Sequence, residues 1–513
     1  MKGKKLLLGS LFAGGALAAT HLLFTKKDDP GTSGEKPASK ISAYDAIDAY
    51  IQQQMRRLKI PGVSLAIVEG DQIVHLRGFG KARPGGDAPA PQTTFFIGSC
   101  TKSITAMAVM QLVEAAKVEL DAPVQRYLPW FRVADPQASA QMTVRHLLNQ
   151  TGGLPMLPSE IALADFDDSS DATERQVRDL STLKLTRPVG SKFEYCNTNY
   201  NVLGLIVEAA SGMSYSDYIQ QHIFDPLEMR HSYTSKAAAQ RDGLAVGYQY
   251  WFGFPIPVPN LSIPSGSLPS GQLISSTEDM AHYLIAYLNG GRYCGKQILS
   301  GEGIDELTRG VAEWKEMGYL IGYYGMGWIN QEFGETRIVS HSGTVPDFSA
   351  FIALVPEQKK GIVLLFNANH AMMKLTLDDV GLSAARRLTG EPPSSSWLGT
   401  APWVMRGMLL IPILQIVGVI ATLRLTRRWK AFPEHRPSRK RMWRRHILLP
   451  LIPNLLPALT LVPMLSKMRG WIRLFMPDFS WLAWISGGFA VIWAFLRTGL
   501  ILQALRKSRL SNP

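Results

Sequence analysis

The sequence is sparing with cysteine, with charge and, toward its far end, with acid. Three cysteines in 513 residues (Cys100, Cys196, Cys294) are too few for a disulfide scaffold and cannot all pair. Charged residues make up 19% against 46% hydrophobic, which excludes a disordered chain. The 45 glycines have no three-residue period, which excludes a collagen-like one, and no internal repeat is visible. Residues 401–513 contain only 2 acidic residues beside 18 basic ones. That local shortage of acid explains the global charge. The whole chain carries +13, which taken alone would place it among nucleic-acid binders. Between Asp28 and Thr400, however, 31 basic residues face 39 acidic ones, a balance of −8. The body is acidic and the excess is terminal, so nucleic acid is not an expected partner.

Both ends have the pattern of membrane segments. Lys2, Lys4 and Lys5 precede an apolar run of 19 residues, Leu6–Phe24, with an A-x-A site at Ala16-Leu17-Ala18. Residues 1–27 are therefore a signal peptide or an N-terminal anchor. No cysteine follows the run, so a lipoprotein anchor is not expected. Residues 28–40 form a polar Pro/Gly/Ser tether, and 391–402 a similar linker. Beyond it, Gly407–Leu423, Ile447–Leu465 and Phe479–Leu496 are apolar runs of 17 to 19 residues, read as three transmembrane helices in a membrane domain spanning 403–513. Ten Lys/Arg and one Glu between Arg424 and Arg445 mark that loop as cytoplasmic. Counting back across the first span places residues 41–390 outside the cytoplasm, and the N-terminal lysines point the same way. The expected setting is a multi-pass protein in a lipid bilayer with an extracytoplasmic body.

The body reads as α+β. Ile41–Leu58 has helical spacing, Val63–Val68 and Ile73–Phe79 read as strands around a turn at Glu69-Gly70-Asp71, and Ile338–Ser340, Phe348–Val355 and Gly361–Phe366 are strand-like before a helix at Leu375–Leu388. Strands from both ends of the chain make one antiparallel sheet flanked by helices, with the middle of the chain as a helical lobe and a cleft between them.

Three short motifs carry chemistry only together. Ser99-Cys100-Thr101-Lys102 opens a helical run, Ser103–Ala116, and residues three apart on a helix share a face, so the Lys102 amine can reach the Ser99 hydroxyl. A serine hydroxyl needs such a base. S-x-x-K alone says little, since Ser33–Lys36 repeats it in the tether. Tyr195-Cys196-Asn197 precedes a helix at Tyr200–Ala210. A phenol beside a lysine cation can be held as phenolate and act as a base, while a carboxamide can orient the lysine and a substrate amide. Tyr287-Leu288-Asn289 also fits Y-x-N and reads there as a packed helix end. His341-Ser342-Gly343 follows a strand, where small residues let a substrate backbone lie alongside; the imidazole can bind a carboxylate or hydrogen-bond to the other groups. Asp165–Asp171 reads as a solvated acidic loop rather than a metal site. Tyr248–Leu268 reads equally as a pocket wall or a packed loop.

In that order, S-x-x-K, Y-C-N and H-S-G resemble the motifs of the serine β-lactamase and penicillin-binding-protein superfamily, in its class C β-lactamase-like branch. Thr143–Pro155 (TVRHLLNQTGGLP), Asn199–Gly204 and Ser276–Met280 are also similar to segments typical of that branch, so the resemblance runs from about Ile41 to Leu388. It implies a β-lactamase/transpeptidase-like fold and no cofactor or metal. It also implies a serine hydrolase in which Ser99 is acylated, Lys102 and Tyr195 share proton transfer and Asn197 positions Lys102 and substrate. His341 stands in the place of a lysine, Ser342 and Gly343 line the substrate, and the amides of Ser99 and Thr344 form the oxyanion hole. Class C enzymes carry Lys at His341 and Gln at Leu157, which weakens a dedicated β-lactamase reading. Cys100 and Cys196 lie at variable motif positions and read as small buried side chains, with a disulfide as the alternative. The expected substrate is a small amide or ester, foremost a D-amino-acid-containing peptide. The spans also resemble those of the colibactin-maturation peptidases, which remove an acyl-D-amino-acid leader from an exported precursor. A non-catalytic penicillin- or peptidoglycan-binding sensor, an esterase and a β-lactamase are the alternatives.

Overall fold

The computed structural model describes residues 43–506 apart from 168, 263–265, 317–318, 392–396, 453–454 and 456–465. The N-terminal apolar run, the tether and the Ser33–Lys36 pattern lie outside the described residues. The chain divides into two compact units, one formed by 43–249 and 255–399, the other by Thr400 onward with Tyr250–Phe254.

The larger unit is built on an eight-stranded antiparallel sheet. Its strands are β1 (Gly62–Glu69), β2 (Gln72–Gly80), β3 (Ala312–Glu316), β4 (Tyr319–Tyr324), β5 (Ile329–Phe333), β6 (Thr336–Val345), β7 (Phe348–Val355) and β8 (Lys360–Phe366), in the order β2-β1-β8-β7-β6-β5-β4-β3. Strands from the two ends of the unit thus meet at β1–β8, from Val63↔Phe366 to Glu69↔Lys360. Every residue of β7 is buried, as expected where helices cover both faces. Among those helices are α1 (Ala43–Leu58), α2 (Thr101–Glu114), α3 (Met156–Ala162), α4 (Asn197–Ser211), α5 (Leu268–Gly271), α6 (Thr277–Leu288) and α7 (Lys374–Leu388). A Cβ on Gly381 of α7 would meet the Phe351 ring, and one on Gly361 would meet Leu284 of α6. Gly361 pairs with Leu354, three residues from Phe351, and side chains an odd number apart point to opposite faces. The two helices therefore cover opposite faces. A large core cluster joins α2, α4 and α6 to the sheet, with Ile104, Leu203, Leu284, Ile352 and Val363 at or near zero exposure.

Local sequence explains the starts of several helices. Ser276 accepts from Asp279 N at the head of α6, and Thr143 with His146 closes a capping box on Val144–Leu148. Two of the segments that carry the family resemblance are therefore helix caps. Tyr287-Leu288-Asn289 is the packed end of α6, as its sequence predicts.

The second unit contains α8 (Leu410–Ala431) and α9 (Pro477–Arg506). Among the described residues, two stretches are long and apolar enough to cross a membrane: Ala401–Ala431, which joins the short helix Ala401–Gly407 to α8, and Pro477–Ala504. They contain the first and third expected spans. The helix of the first begins at Ala401, inside the expected linker. The middle run, Ile447–Leu465, falls mostly outside the described residues. Gln415 Nε2 donates to Ser486 O at 2.9 Å between the two helices, while Leu414, Ile416, Ile485 and Phe495 point outward, 57–71% exposed.

Candidate active site

Ser99 lies in a short 3-10 turn, Gly98–Cys100, which runs directly into α2. The turn exists because residue 98 is glycine. Its φ is +53°, a region that costs an L-residue about 1–2 kcal/mol. A Cβ there would stand 2.2 Å from Thr344 N and 2.6 Å from Gly343 C. The reverse holds at Gly343, where a Cβ would stand 1.9 Å from Ile97 O. Two glycines thus let the Ser99 turn close against β6, with the Thr344 amide at its edge. The third-motif glycine is needed for this approach.

The strand bearing His341-Ser342-Gly343 does not end before the motif, as the sequence pattern predicts. It runs through to Val345, because β7 continues to pair with it as far as Val345↔Phe348. Its ladder with β5 stops at Ile329↔Ser340. The segment 341–345 is therefore held from one side by β7 and faces the nucleophile turn on the other.

Lys102 and Tyr195 converge on Ser99, with Asn197 and His341 beside them. Lys102 Nζ, on a side chain with zero exposure, donates to Ser99 Oγ at 3.0 Å, to Asn197 Oδ1 at 2.8 Å and to Ser270 O at 2.6 Å. Three acceptors match the three donors of an ammonium group. The half-buried Tyr195 donates from its hydroxyl to Ser99 Oγ at 2.8 Å, and the lysine nitrogen lies 4.8 Å from its ring centroid. Asn197 is the first residue of α4, and its Nδ2 donates to Glu160 Oε1 at 3.1 Å. His341 is buried, with a ring centroid 6.5 Å from that of Tyr195. Its Nδ1 lies 2.7 Å from Ser342 O and its Nε2 3.4 Å from the Tyr324 hydroxyl. An N–H on Nδ1 satisfies that carbonyl and leaves Nε2 to accept from Tyr324.

Burial decides the charges. It pushes the Lys102 amine down to about 7, against the pull of the Glu160 carboxylate. It pushes the His341 imidazole down to about 3, with the Lys102 charge adding to the effect, so the ring is neutral at ordinary pH. His341 therefore does not reproduce the charge of the lysine whose place it takes. The Tyr195 phenol is pushed well above its ordinary range by burial and by Tyr324. That opposes the resting phenolate expected beside a lysine: desolvation is the largest influence on the phenol, and the hydrogen bond with Ser99 offsets it only in part. The group able to accept a proton near neutrality is the Lys102 amine.

Several contributors have no signal in the three motifs. Ser270, whose carbonyl binds Lys102, lies two residues beyond the aromatic- and proline-rich stretch Tyr248–Leu268 that reads equally as wall or loop. Its helix α5 is tied to α2 by Thr105 Oγ1 donating to Pro269 O at 2.7 Å. Glu160 follows the Gly-Gly-Leu-Pro segment and is distinguishable there only by its charge. Trp314 of β3, with its ring 6.2 Å from Tyr195, comes from a remote strand. Leu157 is half exposed on α3. Cys100 and Cys196 are both free and buried. The Cys100 thiol donates to His341 O at 3.4 Å, so the disulfide alternative is not realised and the small side chain instead links the Ser99 turn to β6. In the acidic loop, Arg175 pairs with Asp167 and Asp171.

Known proteins resemble the larger unit in sequence and in fold. The Beta-lactamase family model matches residues 47–385. Protein flp of Staphylococcus aureus (strain MW2) is 30% identical over 331 residues, covering 63% of this chain and 63% of that protein. The match thus spans less than two thirds of that relative. Penicillin-binding protein 4 of Amycolatopsis lactamdurans is 28% identical over 61% of this chain and 82% of its own length. Among solved structures, the octameric penicillin-binding protein homologue from Pyrococcus abyssi superposes with a TM-score of 0.59 at 30% identity, covering 69% of this chain and 78% of its own. The D-amino acid amidase of Ochrobactrum anthropi SV3, in complex with L-phenylalanine amide, gives 0.58 at 23% identity, covering 68% and 99%, and shares the fold. A sheet flanked by helices, a Ser-Lys pair at a helix start and a match over most of the larger unit lead to one conclusion: this chain belongs to the β-lactamase family.

Proposed function

We propose that this protein is a membrane-anchored, extracytoplasmic acyl-transfer hydrolase acting on an amide or ester, foremost in a D-amino-acid-containing peptide. One observation carries the reading: Ser99 Oγ lies between Lys102 Nζ at 3.0 Å and the Tyr195 hydroxyl at 2.8 Å. In the neutral-amine state Ser99 Oγ attacks the substrate carbonyl and its proton passes to Lys102 Nζ. The developing oxyanion is taken up by the amides of Ser99 and Thr344. Tyr195, still protonated, relays a proton to the leaving group and recovers one from Lys102. Water then cleaves the acyl-enzyme by the reverse sequence. Asn197 holds Lys102 and the substrate amide, His341 supports the site as a neutral hydrogen-bonding group, and Ser342 and Gly343 lie along the bound substrate.

The substrate class is supported by relatives named as a penicillin-binding protein and a D-amino acid amidase. Membrane anchoring is supported by α8 and α9: only 6% and 22% of their apolar windows are buried, unlike the core helix of a soluble protein. The basic Arg424–Arg445 loop is then cytoplasmic, and residues 41–390 lie on the opposite side. The test is turnover of a D-Ala-D-Ala peptide, its L-Ala-L-Ala counterpart and a simple ester by wild type and Ser99→Ala. D-selective turnover lost in the variant is expected. Turnover of the ester alone would move the assignment to an esterase, and covalent penicillin labelling without any turnover would move it to a sensor.

A further inference from the structure

We infer that Glu160 is a positioning residue of this centre: its carboxylate fixes the orientation of the Asn197 carboxamide and holds an opposing charge over Lys102. The inference rests on the roles of Ser99, Lys102 and Asn197 proposed above.

A carboxamide has nearly the same shape in its two flipped states, but only one suits Lys102. Asn197 must present Oδ1 to the lysine nitrogen, at 2.8 Å, and therefore Nδ2 to the opposite side. What makes that state the stable one is an acceptor opposite, and Glu160 Oε1 occupies that place at 3.1 Å. The neighbouring Ser159 supports the same residue by its backbone, with Oγ accepting from Asn197 N at 3.3 Å while donating to Met156 O at 2.7 Å. Helix α3 thus grips the start of α4 at two points, one of them charged.

The second role is electrostatic. The titratable groups around Lys102 are Cys100 on the nucleophile turn, Tyr195, Cys196 and Tyr200 at the start of α4, Tyr324 on β4, His341 on β6 and Glu160 on α3. Burial keeps the thiols and phenols protonated and the imidazole neutral. Among these groups, the Glu160 carboxylate is the strongest that favours the charged form of Lys102. It opposes the desolvation that would otherwise strip the proton from Lys102 more completely. A lysine that must take a proton from Ser99 and later return it needs both states within reach, and Glu160 supplies the balance.

Two substitutions separate the roles. Glu160→Gln keeps an oxygen for Asn197 Nδ2 and removes the charge; Glu160→Ala removes both. In Glu160→Gln the acidic limb of kcat/KM moves to lower pH by about one unit, the order of effect of removing an opposite charge near the amine. In Glu160→Ala the limb moves likewise, and kcat falls a further ~10-fold with little change in KM, the loss of about one charge-assisted hydrogen bond. Recovery of kcat, but not of the pH profile, in the glutamine variant is the signature of a positioning role. A glutamine variant whose acidic limb superimposes on wild type, while Ser99→Ala is inactive, overturns this inference alone. Turnover persisting in Ser99→Ala overturns the underlying reading.

Discussion

Replacing Gly98 by alanine tests the central geometry with the smallest change available, a single methyl group. The new Cβ would lie 2.2 Å from Thr344 N and 2.6 Å from Gly343 C, both backbone atoms that no rotamer change can move aside. Ordinary contact begins at 3.4 Å, so turn and strand must separate by about 1 Å. The φ of +53° adds about 1–2 kcal/mol for a non-glycine residue. Together with the separation, a loss of about 2–4 kcal/mol in stability follows. The effect on rate should be larger, because the displaced amide is one of the two proposed to take up the oxyanion. Loss of one such donor lowers kcat about 10²–10³-fold, and a shift of about 1 Å alone can reduce rate about 10²-fold. Thermal unfolding read beside acylation by a fluorescent penicillin measures both. The expected Gly98→Ala protein is folded, melts several degrees lower and acylates at least about 10²-fold more slowly. An alanine variant that acylates within twofold of wild type would refute the placement of Thr344 N at the reacting oxygen.

Other outcomes follow from the same site. Tyr195→Phe should reduce kcat by about 10²–10³-fold with a change in stability of about 1 kcal/mol or less, measured by steady-state kinetics and melting; an unchanged rate removes Tyr195 from proton transfer. The wild-type kcat/KM profile should have an acidic limb near pH 7, since Lys102 acts as the neutral amine and is held at about 7. The sign for stability is also fixed: unfolding returns this amine to 10.5, so the unfolded chain binds the additional proton and the Lys102 contribution improves as pH rises from about 7 to 10.5. Comparing the pH dependence of Tm in wild type and Lys102→Met isolates it. Thiol titration should find one reactive cysteine in the native protein, the exposed Cys294, and three after denaturation, with or without reductant. Protease added to spheroplasts should digest the 41–390 body and spare the Arg424–Arg445 loop; cleavage of the loop alone would invert the proposed topology.

Much of this site is legible in the sequence because its chemistry is local. Ser99 and Lys102 are three residues apart on one helix, Tyr195 and Asn197 flank a single residue at a helix start, and their meeting needs only the expected fold. The sheet is legible for the same reason: β1, β7 and β8 are continuous apolar runs, and β1 and β2 are joined by a short turn. What escapes is set by tertiary contact. Glu160, Ser270 and Trp314 reach the site from three separate segments, and nothing in their local pattern separates them from surface acid, loop serine or core aromatic. The length of β6 escapes because Gly343 interrupts the strand pattern, and pairing with β7 overrides it. The phenol of Tyr195 escapes because its proton affinity depends on burial, which a sequence does not display. Gly98 is visible as a glycine, but its purpose appears only when the Thr344 amide lies beside it.

The claim on which the rest depends is that Ser99 forms the acyl-enzyme. Peptide mapping by mass spectrometry after incubation of the full-length protein with a penicillin tests it directly. The account predicts one acyl group of the full penicillin mass on the peptide containing Ser99, with no adduct on Ser99→Ala under the same conditions. An adduct on any other residue, or undiminished labelling of Ser99→Ala, would contradict it.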